Sequence, residues 1–371
     1  MSQFLNQSSE NPQAQSSIID LSKKARQKLR ARCYSDAGQL FAEGLELEPD
    51  NPYLLSGMGD ASREMGHFEV AEECYLKLLH IDEKNLFALR GLGDVYKKLN
   101  RHTDAVTMWE RYLHLRPRDK HVMSRIADSA KVLLQFERAE QMYLSIIAFA
   151  PDDRFALSGL ADLQHRLGKD QDAIRIYEKI LGFDDKSLHI LTILGKLCWR
   201  VSDFDKGEIY FRRALEIDPD NPYALYGLGN CHRWHKRYQD AIEVWQKILE
   251  DSEGTQALHT RMGDAYYHIG MKEEAARSYR RSISFGRDPF SLAGLICLSA
   301  DTGDLDAAIA TFLDLVVADD DPLYQLDMLS RRFIRAGQQS IMEEFYRYLL
   351  SGNHRDCTFD TDLAAALQIH C

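Results

Sequence analysis

The 371-residue chain is 45% hydrophobic and 28% charged, the balance of a folded, water-soluble protein. Its net charge of −11 and pI near 5.6 argue against nucleic acid as partner, because such binders carry a basic stripe. No stretch has the apolar length needed to span a bilayer, so membrane insertion is not expected.

Residues 1–17, MSQFLNQSSENPQAQSS, are polar and rich in Gln, Asn and Ser. They lack the basic region and apolar run of a secretory signal, and the composition predicts a disordered tail. From residue 18 the sequence repeats itself. Ala37, Ala71, Ala105, Ala139, Ala173, Gly207, Ala241 and Ala275 follow one another at steps of 34 residues, and the next step, to Ala308, is 33. Counted from nineteen residues before this small residue, repeats start at 18, 52, 86, 120, 154, 188, 222, 256, 289 and 323.

Other positions keep this register. Position 8 is small, as in Gly59, Gly93, Ala127, Gly195 and Gly229, and position 24 is aromatic, as in Tyr75, Trp109, Tyr143, Phe211 and Trp245. Small residues at 8 and 20 let two helices approach closely, and the aromatic fills the space beside them. Pro49, Pro117, Pro151 and Pro219 occupy position 32, where proline stops the second helix. Each repeat therefore predicts two antiparallel helices, near positions 1–14 and 17–30. Ile296 replaces the small residue at position 8 of repeat nine, and Met342 replaces the alanine of repeat ten. Repeat ten reads as a degenerate capping repeat. Residues 351–371 form a tail in which FDTDLAAALQIHC predicts a short capping helix, begun by Asp360 or Thr361.

These residues carry a resemblance to the tetratricopeptide-repeat (TPR) family. ALYGLGNCHRWHKRYQDAIEVWQKIL matches its Leu-Gly, Ala, aromatic and Pro pattern, and the match covers about residues 18–350. The resemblance implies an all-α fold, a right-handed α-solenoid of about ten helix–turn–helix repeats. It also implies that the first helix of each repeat lines a concave groove, and that the partner is a protein or peptide.

On a helix, positions 4, 7, 8 and 11 fall on one face and must meet the core, while 2, 5, 9, 12 and 13 lie opposite. Position 9 gives Asp60, Asp94, Asp128 and Asp162, then Lys196, Asn230 and Asp264. Position 2 gives Tyr53, Phe87, His121, Phe155, His189, Tyr223, Phe290 and Tyr324. One reading makes the aspartates a ladder that accepts hydrogen bonds from an extended peptide, with the aromatics as apolar anchors. The other makes them partners of Lys and Arg three or four residues on, as in Asp94 with Lys97 or Lys98 and Asp128 with Lys131. The position-2 aromatics could equally pack on the preceding repeat.

Repeats six to eight differ. Trp199, Arg200, Tyr223, Tyr226, Asn230, Arg233, Trp234 and Tyr267 share the groove side, with the composition of a binding hot spot. Burial of the tryptophans against a neighbouring helix is the competing reading. In TPR proteins that grip a C-terminal carboxylate, positions 5 and 9 carry Lys and Asn. Here Ser56/Asp60, Arg90/Asp94 and Ser124/Asp128 stand there, and aspartate repels a carboxylate.

No phosphate loop, GxSxG, HExxH or kinase signature occurs. Cys231, His232 and His235 are a poor metal set, and His354, Cys357, His370 and Cys371 fare little better, so neither metal nor cofactor is expected. Seven widely spaced cysteines without a CxxC pair suit thiols of a reducing cytoplasm. The expectation is a non-enzymatic cytoplasmic scaffold binding a protein or extended peptide. The alternative is a regulatory subunit of a larger complex, acting through a bound enzyme or by self-association.

Overall fold

A computed structural model describes residues 12–317 and 322–350. Among these residues there are twenty helices and no strand. The backbone repeats as the sequence does. The residue before the first helix of most repeats is a side-chain cap: Asn51, Asn85, Asp119, Asp153, Asn221, Thr255 and Asp288 each accept a hydrogen bond from a backbone N–H of the first turn, supplying one of the acceptors that a helix start lacks.

The turn inside each repeat is equally regular. Position 15 is left-handed throughout, with φ between 58° and 82°. Glycine fills it at Gly66, Gly168, Gly270, Gly303 and Gly337, and Arg32, Asn100, Leu134, Ser202 and Lys236 fill it elsewhere. The residue after it donates back into the first helix, as His67 does to the Ser62 carbonyl (2.8 Å) and Arg101 to that of Tyr96 (2.8 Å). This closes the first helix and sends the chain back antiparallel.

The chain divides into two compact halves, residues 1–180 and 181–371. The N-terminal half holds α1 (Pro12–Arg30), α2 (Tyr34–Leu47), α3 (Pro52–Met65), α4 (Phe68–Ile81), α5 (Leu86–Lys98), α6 (His102–Leu115), α7 (Lys120–Val132), α8 (Phe136–Phe149), α9 (Arg154–Arg166) and α10 (Asp170–Leu181), which ends at the division. Because α1 begins at Pro12, Pro12–Ser17 are helical and not the disordered tail that composition predicts. Once the apolar face of α1 packs on α2, extending it by further turns adds one hydrogen bond per residue without a new nucleus. Residues 1–11 of that predicted tail lie outside the described residues.

The aromatic at position 24 sets the packing distance. In repeats two, six and eight it stands between the position-8 glycine of its own repeat and the position-6 glycine of the next. A Cβ on Gly59 would lie 2.7 Å from the Tyr75 ring, and one on Gly91 2.4 Å from the same ring. Tyr75 is fully buried as a result, and Trp109, which meets a glycine only at Gly93, is fully buried too; such burial is a large apolar gain.

The C-terminal half holds α11 (Leu188–Arg200), α12 (Phe204–Ile217), α13 (Pro222–Trp234), α14 (Tyr238–Asp251), α15 (Gln256–His268), α16 (Lys272–Ser284), α17 (Pro289–Asp301), α18 (Leu305–Val317), α19 (Pro322–Arg335) and α20 (Gln339–Leu350). The same wedge recurs: Phe211 lies between Gly195 and Gly227, and Tyr279 between Gly263 and Gly294. Helices pack within a repeat or on the adjoining one. The architecture is an all-α TPR-type solenoid.

Repeats nine and ten depart from the small-residue rule without losing the core. Ile296 is fully buried beside Phe312, and Met342, Phe345 and Tyr346 close over them. Tyr346 shares a 2.8 Å hydrogen bond with Ser330. Arg332 reaches past repeat nine to Asp264 (2.6 Å) and Tyr279 (2.5 Å). The predicted helix of the C-terminal tail, with Asp360 and Thr361, lies outside the described residues, as do His354, Cys357, His370 and Cys371.

Candidate functional site

The aspartates of position 9 have a role inside the fold. The Tyr75 hydroxyl donates to Asp60 and the Tyr143 hydroxyl to Asp128, both at 2.7 Å. Tyr177 does the same to Asp162, and Tyr279 to Asp264 at 2.8 Å. In each case the donor is the position-24 aromatic of the same repeat. Burial first, and then the adjacent carboxylate, pushes the Tyr75 phenol well above its usual range. Where position 24 is Trp, position 9 turns outward to the neighbouring repeats. Asp94 pairs with Arg125 (3.0 Å) and Arg63 (3.4 Å), and Asn230 accepts from Arg261 (2.8 Å).

The intrahelical pairing is realised at Asp128–Lys131 (3.1 Å) and, more loosely, at Asp60–Arg63 (3.8 Å), whereas Asp94 uses its flanking arginines. Asp60 and Asp128 still leave 40% and 48% of their side chains exposed, and Asp94 leaves 15%. The position-2 aromatics do not pack away. Tyr53, Phe87 and Phe155 are exposed in the N-terminal half, and Tyr223, Phe290 and Tyr324 in the C-terminal half.

Of the eight residues singled out in repeats six to eight, all but Trp234 divide between two hollows. The first, of 420 Å³, is lined by Trp199, Arg200, Tyr223, Tyr226 and Asn230 together with Ile193, Lys196, Phe211 and Arg261. All but Phe211 come from the first helices α11, α13 and α15. Tyr223 is 78% exposed at its mouth. Tyr226 is fixed in place, since its carbonyl accepts from Asn230 Nδ2 (2.9 Å) and Trp245 Nε1 (3.3 Å) and Arg261 lies over its ring at 5.5 Å. The Trp199 indole N–H is buried without a hydrogen-bond partner.

Arg233 and Tyr267 line the second hollow, of 360 Å³, with residues of α17 and α19. Trp234 lines neither. Its ring stacks on Phe204 at 4.2 Å, and Trp199 meets the same phenyl edge-on at 6.1 Å. Phe204, at the start of α12, is a buried residue, and Trp234 stays 57% exposed over it. Sequence reasoning missed Ile193, Phe211 and Arg261. Arg261 was findable, because it occupies position 6, where Gly57, Gly91, Gly159, Gly227 and Gly294 stand in other repeats and where Arg125 likewise follows a Trp-bearing repeat.

Cys231, His232 and His235 do not converge. His232 is buried 3.9 Å from Glu208, and His235 meets Asp205 at 3.3 Å. Among the described residues no group of three or more His, Cys, Asp or Glu is placed to hold a metal ion. Burial raises the Cys74 thiol to about 11 and those of Cys231 and Cys297 to about 12, out of the range of reactive thiolates. No described helix is long and apolar enough to cross a membrane.

Family models described as tetratricopeptide repeat match residues 54–85, 156–187 and 194–255. These three stretches of the chain are tetratricopeptide repeats. This TPR chain is 24% identical over 103 residues to stress-induced-phosphoprotein 1 of Caenorhabditis elegans, covering 26% of the chain and 32% of that protein. It is 26% identical over 142 residues to tetratricopeptide repeat protein 8 of the same organism, covering 36% and 28%. The chain thus spans about a third or less of these relatives. The crystal structure of YrrB, described as a TPR protein with an unusual peptide-binding site, is 18% identical with a TM-score of 0.43, covering 50% of this chain and 95% of that one.

Proposed function

We propose that the chain is a non-enzymatic scaffold that seats an extended segment of a protein partner against α11, α13 and α15, with an apolar or aromatic side chain of that segment in the 420 Å³ hollow. The observation that carries this reading is the hollow's composition. Trp199, Tyr223, Tyr226, Ile193 and Phe211 offer apolar area, and Lys196, Arg200 and Arg261 stand around them. Rigid aromatics beside arginine are what binding hot spots are made of. Tyr223, largely exposed in the free chain, has apolar surface to gain by covering.

Asn230 acts here as a brace for Tyr226 and Arg261, because both ends of its amide are already engaged. The aspartates of repeats two, four and five, whose first oxygens hold tyrosines, are secondary acceptors for peptide N–H groups along the N-terminal half.

The test uses the full chain as bait, identifies the stoichiometrically captured protein, and measures its affinity for variants. Tyr223→Ala and Trp199→Ala each cost about 2 kcal/mol or more, with helicity unchanged by circular dichroism. Trp234→Ala costs less than either. Wild-type affinity in both Tyr223→Ala and Trp199→Ala would sink the assignment of this hollow.

A further inference from the structure

The second hollow has a different chemistry. It is lined by four arginines, Arg233, Arg331, Arg332 and Arg335, and by two aspartates, Asp264 and Asp327, in a chain whose net charge is −11. Both aspartates are already committed. Asp327 pairs with Arg331 (2.8 Å), and Asp264 takes Arg332 (2.6 Å) and the Tyr279 hydroxyl (2.8 Å). Arg233 and Arg335 are left with no carboxylate partner among the described residues.

Arg233 stands in an unfavourable place for a cation. Its Nε is buried with no hydrogen-bond partner. Burial, and then the nearby Arg261, lowers its pKa, and Asp264 offsets this only in part. A guanidinium stays charged in a protein, so the cost falls on the free chain and is relieved when an anion arrives. Both Arg233 and Arg335 lie in the last turns of their helices, where the helix dipole favours a cation. That accounts for each residue singly. It does not account for two helix ends from different repeats lining one hollow with their cations unmatched.

The other neighbours supply no counter-charge. The His268 ring is stacked on Tyr238 at 4.5 Å, and burial lowers its pKa, so it is neutral near pH 7. Phe290 and Tyr324, both more than half exposed, and Tyr267 complete the lining as flat apolar walls.

We propose that this hollow binds an acidic side chain of an extended peptide, its carboxylate or phosphate oxygens received by Arg233 and Arg335 between the aromatic walls. Guanidinium groups suit such oxyanions because their N–H fork matches two oxygens at once. The subsite does not depend on the aromatic hollow being occupied, and the two are tested apart.

The probes are fluorescein-labelled octapeptides of Gly, Ser and Tyr that differ only at one central residue, Glu, phosphoserine or Gln. Binding to the full chain is read by fluorescence anisotropy at two salt concentrations. The Glu or the phosphoserine peptide, or both, binds about tenfold or more tightly than the Gln peptide, and the preference weakens with salt. Preference for both assigns the site to any carboxylate or phosphate, and preference for phosphoserine alone assigns it to phosphate. Arg335→Gln, at an exposed position that leaves the core untouched, and Arg233→Gln each abolish the preference. Trp199→Ala preserves it. Equal binding of all three peptides, no binding of any of them, or a preference that survives both arginine substitutions overturns the proposal.

Discussion

Leu134 shows what a single position of the repeat demands. It holds the left-handed turn of repeat four at φ 59°, a conformation that costs a residue with a Cβ roughly 1–2 kcal/mol relative to glycine. Its side chain is 70% exposed, so little burial offsets that cost. Leu134→Gly should therefore stabilise the chain by roughly 0.5–1 kcal/mol, after allowing for the greater backbone freedom of glycine when unfolded. Urea denaturation of the variant checks this, and a lower midpoint would refute it. Much at this scale was legible in the sequence. The glycines of position 15 recur at Gly66, Gly168, Gly270, Gly303 and Gly337, and the small-and-aromatic pattern placed the core. The pairing of Tyr at position 24 with Asp at position 9 was also written there, as Tyr75 with Asp60 and Tyr143 with Asp128, and Phe211 with Lys196 where the hydroxyl is missing. It went unread because helical angles assign each position to a face one helix at a time, and put position 9 outward. The side chain of Tyr75 is long enough to cross between helices and meet Asp60 from within.

Elements at the C-terminal end carry the next consequence. The helices α19 and α20 bring Leu326, Leu329, Phe333, Phe345 and Tyr346 onto Ile309, Phe312 and Leu315 of repeat nine, all buried. Arg332 adds a second tie, since it reaches Asp264 and Tyr279 in repeat eight. Burial by itself would loosen the hold of Arg332 on its proton, but Asp264 and then Tyr279 more than offset it, so the guanidinium stays charged and the pair persists throughout the neutral range. Removing residues 323–371 uncovers the apolar face of repeat nine and leaves Asp264 with one partner fewer. The truncated chain should keep the helicity of the upstream repeats yet self-associate, as read by circular dichroism and light scattering. A truncated chain as soluble and monomeric as the full one would show that repeat ten is not a cap. The departures at Ile296 and Met342 pointed to this role. The reach of Arg332 over 68 residues left no mark in a pattern that compares only like positions of successive repeats.

For the whole molecule, the decisive property is how far contacts travel. Among the described residues helices pack within their own repeat or on the adjoining one, and the chain divides into two compact halves, 1–180 and 181–371. Cooperativity in such an array comes from interfaces between neighbours, so it decays with distance along the chain and does not bind all ten repeats into one all-or-none transition. The four tryptophans make this measurable. Trp109 lies in the N-terminal half, and Trp199, Trp234 and Trp245 lie in the C-terminal half. Far-ultraviolet circular dichroism reports helices of both halves, while tryptophan fluorescence is weighted to the second. Urea unfolding followed by the two probes should give different midpoints, and an apparent slope lower than the surface of a cooperatively unfolding chain of this length requires. Hydrogen exchange resolved by peptide should show protection that varies between repeats. Repeats whose aromatic wedge is hydrogen-bonded, such as Tyr279 held by Asp264 and Arg332, should exchange most slowly. Coincident curves from both probes, together with uniform protection, would mean that the ten repeats unfold as one body and that coupling extends well beyond the nearest-neighbour contacts.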